Sequence, residues 1–408
     1  MLNKSCIHAG WLIDGSSGPI QKDVLIHIQQ HIIQSIEPAP KATCQQPSSF
    51  LDLSEYTLLP SLVDCHVHLF MSGTHDIAAR KRQLEAGYDE LKAVISNHIA
   101  WHLSSGVGAV RDGGDSKGLV QQYQRECPGL NDGRKKPLIS AVDSTRQMSI
   151  HVKVAGKAWH QCGRYGKLIG RSPTPGETLA EAICREASLP GYTRPDHIKV
   201  VNSGVNSLLC FGKETQPQFS LEELTQAFGE AGRRQLNVMV HANGKLPVQI
   251  AIEAGCHSIE HGFFMGAENL ARMRDRQTVW VPTAFTMRAY VAHLAPSSRE
   301  ADTAQRNLTH QMDQLRMARE MGVPVALGTD AGSLGVHHGI SVREELRIFL
   351  EAGYTIPEAV QCATKTGAGL LGITDMGTLT PGMPASWIAV KGSPSGIPDN
   401  LDRVIQVE

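Results

Sequence analysis

The chain has 408 residues, 41% of them hydrophobic, and its 39 Lys and Arg nearly balance its 40 Asp and Glu. This length predicts one large domain or a large domain with a smaller companion, and the near-zero net charge argues against nucleic acid or an anionic membrane as partner. No apolar stretch reaches the roughly 20 residues that span a bilayer, and the N-terminus lacks a signal-peptide pattern. The nine cysteines are dispersed without a CxxC pair, so we expect a cytoplasmic protein.

The chain changes character at about residue 60. Before it, residues 1–58 mix β-forming residues with Gly, Pro and Asp-Gly, which predicts short strands and turns. After it, short apolar runs alternate with helix-like segments. Most of these runs are continuously apolar, as parallel strands buried on both faces are. The predicted strands are 61–68, 107–114, 137–142, 197–204, 237–244, 257–263, 279–285 and 324–332.

Amphipathic helices are predicted between several of these strands. In segment 220–235 the apolar residues fall on one stripe, with Ser220 as the N-cap. Segment 341–354 has the same periodicity, and Gly353 suits its C-terminal end. Strand then helix, repeated about eight times, predicts an α/β fold of the (β/α)8 TIM-barrel type for residues 59–373. The alternative, an open doubly wound sheet, would need a glycine-rich phosphate turn after the first strand, and the sequence has none there.

After the barrel region, the chain returns to short strands. We predict that residues 1–58 and 374–408 pair as one small β-sandwich domain built from both chain ends. Within the barrel, residues 143–178 form a long connection, with six Lys or Arg and no Asp or Glu between Ser144 and Gly176. Connections of this length inside a compact domain are more often functional than accidental.

Polar residues interrupt the apolar runs at corresponding places, near the carboxyl ends of the predicted strands. In a β/α barrel those ends open onto one face, where active sites form. Two histidines that are two residues apart on a strand point the same way and can bind one ion together. Each residue alone has a structural explanation, but imidazoles and a carboxylate at one end of several strands predict a catalytic metal centre. The candidate ligands are His66, His68, Lys199, His241, His261 and Asp330.

Five motifs carry a resemblance to a known family. The stretch LPSLVDCHVH resembles the PG[LF]xDxHxH signature of the amidohydrolase superfamily, and HIKVVNSG, VMVHANG, SIEHG and LGTDAG resemble its later metal-ligand segments in the same order. The chain looks most like the imidazolonepropionase-like branch that holds metal-dependent dipeptidases and prolidases. One departure is Asn243, where the peptidases of this branch often have an aromatic residue, which argues against a carboxypeptidase-type preference.

The resemblance implies a binuclear centre with zinc as the expected metal. His66, His68 and Asp330 would hold the first ion. His241 and His261, near the ends of the fifth and sixth predicted strands, would hold the second. Lys199, with a pKa depressed by its apolar neighbours, would add carbon dioxide and bridge the two ions as a carboxylated lysine. A hydroxide shared by the metals would attack the carbonyl of an amide, peptide or cyclic amide. Asp330 would take the proton of the hydroxide and deliver it to the leaving amine.

Two alternatives stay open at this point. The first is a mononuclear zinc aminohydrolase, a deaminase, although such enzymes usually have a glutamate where this chain has Gly244. The second is a non-catalytic assembly protein, although such relatives typically lose metal ligands and all the candidates are present here. A homo-oligomer is expected only by analogy with relatives of this size.

For the substrate we expect a small carboxylate-bearing molecule, such as an N-acyl amino acid or a dipeptide. The basic connection follows the third predicted strand and should therefore lie on the active-site face. Arg146 and His151, nearest the strand end, are the first candidates for binding the substrate carboxylate. Further candidates are Tyr165, Arg288, His337 and His338.

Overall fold

The computed structural model describes residues 4–40, 50–127, 130, 150–402 and 404–407. The strands are β1 (Lys4–Leu12), β2 (Gln21–Gln29), β3 (Ile32–Pro38), β4 (Phe50–Pro60), β5 (Leu62–Val67), β6 (Val107–Asp112), β7 (His151–Val154), β8 (Ala158–Trp159), β9 (Gly170–Arg171), β10 (His197–Val201), β11 (Asn237–Ala242), β12 (Ser258–His261), β13 (Val279–Val281), β14 (Trp387–Lys391) and β15 (Val404–Val407).

The helices stand mainly between the strands of the barrel. They are α1 (Ile77–Glu85), α2 (Tyr88–Ser104), α3 (Leu119–Glu126), α4 (Leu179–Ala187), α5 (Leu221–Arg233), α6 (Lys245–Glu253), α7 (Gly266–Arg276), α8 (Phe285–His293), α9 (Arg299–Met321), α10 (Ser341–Glu351), α11 (Ile356–Cys362) and α12 (Lys365–Leu370). None of the helices in the described residues combines the length and the hydropathy needed to cross a membrane. The cytoplasmic location and the homo-oligomer stay predictions.

Parallel strands form a closed ring at the centre of the molecule. β5, β6 and β7 pair in that order, and so do β10, β11, β12 and β13. The Asp196 N–H donates to the Val154 carbonyl at 2.9 Å, which joins β7 to the start of β10. Segment 324–327 closes the ring between β13 and β5, and Trp280 forms a parallel bridge with Val325. This arrangement fits the predicted (β/α)8 barrel, whose strands are apolar because both of their faces are buried.

One predicted strand lies outside the described residues, and another departs from the prediction. The strand predicted at 137–142 lies outside the described residues, and the strand that pairs with β6 is β7, inside the predicted connection 143–178. The strand predicted at 324–332 makes only isolated bridges. A reason is visible in its backbone, because Asp330 at φ +60° and Gly332 at φ +103° leave the extended conformation that a strand requires.

The two helix ends that were predicted from capping residues are confirmed. The Ser220 side chain accepts a hydrogen bond from the Glu223 N–H, and Glu223 in turn accepts from Ser220, so that α5 begins with a capping box. Gly353 follows α10 at φ +97°, a conformation that favours glycine and ends the helix.

Both ends of the chain contribute to a second, mixed sheet with the order β15-β14-β4-β1-β2-β3. β4 is its central link, since β4 runs parallel to β1 and antiparallel to β14. Its buried residues, among them Leu12, Leu58 and Trp387, form an apolar cluster separate from the core of the barrel. The predicted β-sandwich and the domain boundaries 1–58, 59–373 and 374–408 stay predictions.

Candidate metal centre

A cavity of about 460 Å³ opens at the carboxyl ends of the barrel strands. All six candidate ligands predicted from the sequence line it. The ring centroids of His66 and His68 are 5.4 Å apart, those of His66 and His261 are 4.9 Å apart, and those of His241 and His261 are 4.6 Å apart. The four imidazoles therefore form a continuous chain across the mouth of the barrel.

Asp330 completes a three-residue group with the histidines of β5. Its Oδ1 lies 3.5 Å from Nε2 of both His66 and His68, and the ligand atoms of the three residues all lie within 4.8 Å of one another. The Ser333 hydroxyl donates to Asp330 Oδ2 at 2.8 Å. Two imidazole nitrogens and a carboxylate oxygen are ligands that zinc and similar divalent ions accept. This group can hold one metal ion.

Each of the four histidines uses one ring nitrogen in a hydrogen bond to a residue that does not line the cavity. Burial lowers the pKa of all four, to about 4 in His68 and to about 3 in His241, so the rings are neutral. In the described part of the chain the second nitrogen of each ring makes no hydrogen bond, which leaves a lone pair for a metal. The bonds are His66 Nδ1 to Glu260 Oε2 (2.8 Å), His68 Nδ1 to the Gly114 carbonyl (3.0 Å), His241 Nε2 to the Gly204 carbonyl (3.1 Å) and His261 Nδ1 with Thr283 Oγ1 (2.7 Å).

Lys199 lies in the middle of β10, and only 1% of its surface is exposed. Its Nζ has no hydrogen-bond partner among the described residues. Burial lowers the pKa of Lys199 to about 8, although the charge of Glu260 opposes this shift. A buried amine without a partner is energetically costly, and a depressed pKa makes its neutral form accessible. These properties fit a residue that is carboxylated and binds metal.

Two of the candidate ligands have a strained backbone. His261 has φ +67° and Asp330 has φ +60°, a region that residues other than glycine rarely adopt. Such residues cost about 1–3 kcal/mol each and cluster where function requires an unusual side-chain direction. In Asp330 the conformation is held by its N–H, which donates to the His66 carbonyl at 2.8 Å.

Behind the histidines lies a buried ion pair that the sequence analysis did not identify. Glu260 accepts from His66 through Oε2 and from Arg111 Nη2 through Oε1, both at 2.8 Å. Arg111 also donates to the Cys65 carbonyl at 2.8 Å and to Ser258 Oγ at 3.0 Å. The available signal was Arg111 itself, because a charged residue inside a continuously apolar strand must find a buried partner.

The basic connection reaches the cavity through apolar and aromatic side chains and not through its described basic residues. Tyr165, Leu168 and Ile169 line the cavity. By contrast, Arg171 stacks over the Trp159 ring at 4.5 Å and pairs with Glu186 at 2.9 Å. The described basic residues of this connection therefore have structural contacts elsewhere or do not line the cavity.

Among the described residues that were predicted to bind substrate, some line the cavity and others do not. Arg146 lies outside the described residues. His151 is the first residue of β7, at the amino end of the strand within electrostatic reach of Asp375, and it does not line the cavity. Tyr165 does line it, while Arg288 pairs with Glu351. His338 is buried against His98 and His102, and His337 lies beside it, outside the cavity of the candidate metal centre.

Comparison with known proteins identifies relatives over almost the full length of the chain. A profile of the amidohydrolase family matches residues 57–406. An ochratoxinase from Aspergillus niger is 26% identical, with 95% of this chain and 81% of the relative covered. An imidazolonepropionase from Paracoccus denitrificans is 25% identical, with 91% and 88% covered. A crystal structure of a Xaa-Pro dipeptidase with methionine bound in the active site superimposes with a TM-score of 0.79 at 28% identity and covers 100% of this chain and 98% of that one.

Proposed function

Because the chain belongs to the amidohydrolase family, we propose that it is a metal-dependent hydrolase that cleaves the C–N bond of an amide, a peptide or a cyclic amide. The observation that carries the proposal is the convergence of four neutral histidines, Asp330 and an unpartnered Lys199 on one cavity. The relatives support it, since one similar structure is named a dipeptidase. The substrate that we propose is a small carboxylate-bearing molecule.

The donor set supports two divalent ions. His66, His68 and Asp330 would hold the first, and nitrogen and oxygen ligands of this kind favour zinc. His241 and the β12 histidine would hold the second, with carboxylated Lys199 between the two. When bound, the ions polarise a carbonyl oxygen and lower the pKa of water, which supplies a nucleophile at neutral pH.

Asp330 is the residue that we propose as the proton shuttle. Burial raises its pKa to about 6 in the metal-free protein, so the carboxyl group accepts a proton more readily than an exposed aspartate does. Its Oδ1 faces His66 and His68, which leaves Oδ2, the oxygen that accepts a hydrogen bond from the Ser333 hydroxyl, to take a proton from the attacking water. From Oδ2 the proton passes to the leaving amine, which departs as a neutral molecule.

The test is a hydrolysis screen coupled to metal analysis. Protein reconstituted with zinc and bicarbonate is offered N-acyl amino acids, dipeptides and lactams, and products are measured by chromatography with mass detection. Lys199→Ala should lower both metal content and turnover, whereas Lys81→Ala, an exposed lysine on α1, should change neither. Full metal content and full turnover in Lys199→Ala would exclude the bridging role, and turnover in fully metal-free protein would exclude the proposed chemistry.

A further inference from the structure

Arg80 of α1 is the cationic side chain besides Lys199 that lines the cavity of the candidate metal centre, as far as the chain is described. Its Nη1 donates to the Ser72 carbonyl at 2.5 Å and to the Gly332 carbonyl at 2.9 Å. These two bonds hold the guanidinium between the loop that follows β5 and the loop that carries Asp330. In the described part of the chain, Nε and Nη2 have no hydrogen bond, and no carboxylate lies within 4.0 Å of the guanidinium.

The position of Arg80 suits a group that binds substrate close to the reacting bond. The side chain is half-buried, and burial lowers the pKa of Arg80, while the nearby Tyr290 and Asp330 oppose this shift. A guanidinium always stays charged in proteins and presents planar paired donors that match the two oxygens of a carboxylate. An unpaired arginine beside a catalytic centre therefore offers a substrate carboxylate a site that no described acidic side chain fills.

On the side toward His241, the cavity lining combines a group of apolar and aromatic side chains with the amides of Asn206 and Asn243. Tyr165, whose ring centroid lies 5.4 Å from that of His241, lines it together with Leu168, Val205 and Leu208. Leu168 and Val205 are 56% and 54% exposed, which is unusual for large apolar side chains that share one concave surface. Exposed apolar side chains that surround a cavity indicate a surface on which an apolar ligand packs. We call these four residues the apolar rim.

The charges in the cavity distinguish between two kinds of carboxylate-bearing amide. Among the described lining residues Asp330 is the carboxylate, and the candidate metal centre uses it. The free ammonium of a dipeptide would therefore have no acidic partner and would lose hydration on entry. The acyl group of an N-acyl amino acid carries no charge and loses little when it leaves water.

We propose that the site takes N-acylated amino acids with an apolar acyl group, with Arg80 binding the carboxylate and the apolar rim packing against the acyl group. This inference rests on the proposed amide hydrolysis, and it names the substrate class of the same site. The scissile amide then lies between Arg80 and the apolar rim, over the candidate metal ligands.

The experiment compares three compounds: N-benzoyl-L-phenylalanine, its carboxamide, which lacks the negative charge, and the dipeptide Phe-Phe, whose acyl group carries a free ammonium. Zinc-loaded protein is measured for hydrolysis by chromatography and for binding by calorimetry. Arg80→Gln should raise KM and Kd for N-benzoyl-L-phenylalanine about 10- to 100-fold, since a hydrogen-bonded charge is removed. The same variant should leave both values for the carboxamide unchanged, and Arg80→Lys should restore part of the loss. Arg82→Gln, which removes an exposed arginine of the same helix, is the matched control.

The outcomes separate this inference from the proposed function. An equal loss for the carboxylate and the carboxamide in Arg80→Gln would assign Arg80 a structural role only and overturn the inference. Equal or tighter binding of Phe-Phe by the unsubstituted protein would overturn it as well, even if the Arg80 variants fail to fold. Hydrolysis that does not depend on Arg80 would refute the inference and leave the proposed function standing. Arg80-dependent binding of the N-acyl compound without any hydrolysis would support the inference and refute the proposed function.

Discussion

Glu260→Gln should weaken the candidate metal centre although Glu260 itself is not a candidate ligand. The carboxylate is fully buried and accepts hydrogen bonds from His66 Nδ1 and Arg111 Nη2 at 2.8 Å and from Ser258 Oγ at 2.5 Å. A glutamine side chain is neutral, has one acceptor oxygen instead of two, and adds an NH2 donor. It cannot accept from three donors that surround it, so either His66 or Arg111 loses its partner.

The expected loss of stability and of zinc affinity depends on which hydrogen bonds Arg111 and His66 retain in the variant. Breaking a buried ion pair from one side costs about 3–5 kcal/mol, because a charge is left buried without compensation. Arg111 keeps its bonds to the Cys65 carbonyl and to Ser258, so we expect the lower end, about 3 kcal/mol, in the free energy of unfolding. Glu260 fixes the tautomer of His66 in which Nε2 is free to bind metal. Because the variant lacks this partner, its zinc affinity should fall about 10- to 100-fold.

Two assays measure the two effects separately. Urea unfolding of the metal-free protein gives the change in stability, and competition with a coloured chelator gives the zinc affinity. The matched control is Glu126→Gln, which removes the same charge from an exposed pair with Lys92 and should cost less than about 1 kcal/mol. Destabilisation with unchanged zinc affinity would show that Glu260 does not orient His66. No difference from Glu126→Gln in either assay would exclude a contribution of Glu260 both to stability and to zinc binding.

Burial lowers the pKa of Lys199 to about 8, so bicarbonate-dependent zinc uptake by the metal-free protein should rise from about pH 7 to about pH 9 as the neutral amine becomes populated. Uptake that is independent of both pH and bicarbonate would count against carboxylation. Burial also lowers the pKa of His98 from its ordinary 6.5 to about 4. Between about pH 6.5 and pH 4, His98 therefore binds a proton in the unfolded chain but not in the folded protein. The free energy of unfolding should fall as the pH drops through this range. His98 should contribute about 3 kcal/mol to this loss near pH 4, so His98→Gln should show a correspondingly flatter profile in urea unfolding. Chelation of the bound metal should abolish hydrolysis and added zinc should restore it; activity that survives complete removal would contradict the metal requirement.

Several features of the fold could be predicted because their signals are local. The capping box at Ser220 and the glycine after α10 involve residues that are neighbours in the chain. The barrel strands can also be recognised in the sequence, since parallel strands are buried on both faces and so are continuously apolar. The apolar run predicted a full strand at 324–332, but two positive φ angles interrupt it there. In the basic connection, the short β7 was not distinguished from a loop.

The substrate side of the site was harder to predict. Arg80 and Arg82 lie on the same helix two residues apart, and nothing in the local sequence distinguishes them. Only the fold brings Arg80 against the carbonyls of Ser72 and Gly332, while Arg82 stays exposed. His151 was chosen because of its place in the basic connection, but a strand begins there, and its side chain lies at the opposite end of β7 from the cavity.

The barrel class, the family resemblance and the order of the six candidate ligands follow from the sequence alone, because the ligands recur in successive units of a repeated strand-helix pattern. Five of them lie near the carboxyl end of a strand and Lys199 lies within one. Only the packed fold shows which nitrogen of each histidine is free, which carboxylate orients His66 and which charges face the cavity. Those properties depend on contacts between distant segments, such as the bond between Arg111 and Glu260 across 149 residues of chain. A periodic pattern specifies which face of an element is buried, but the partner that it meets there depends on how the whole chain packs.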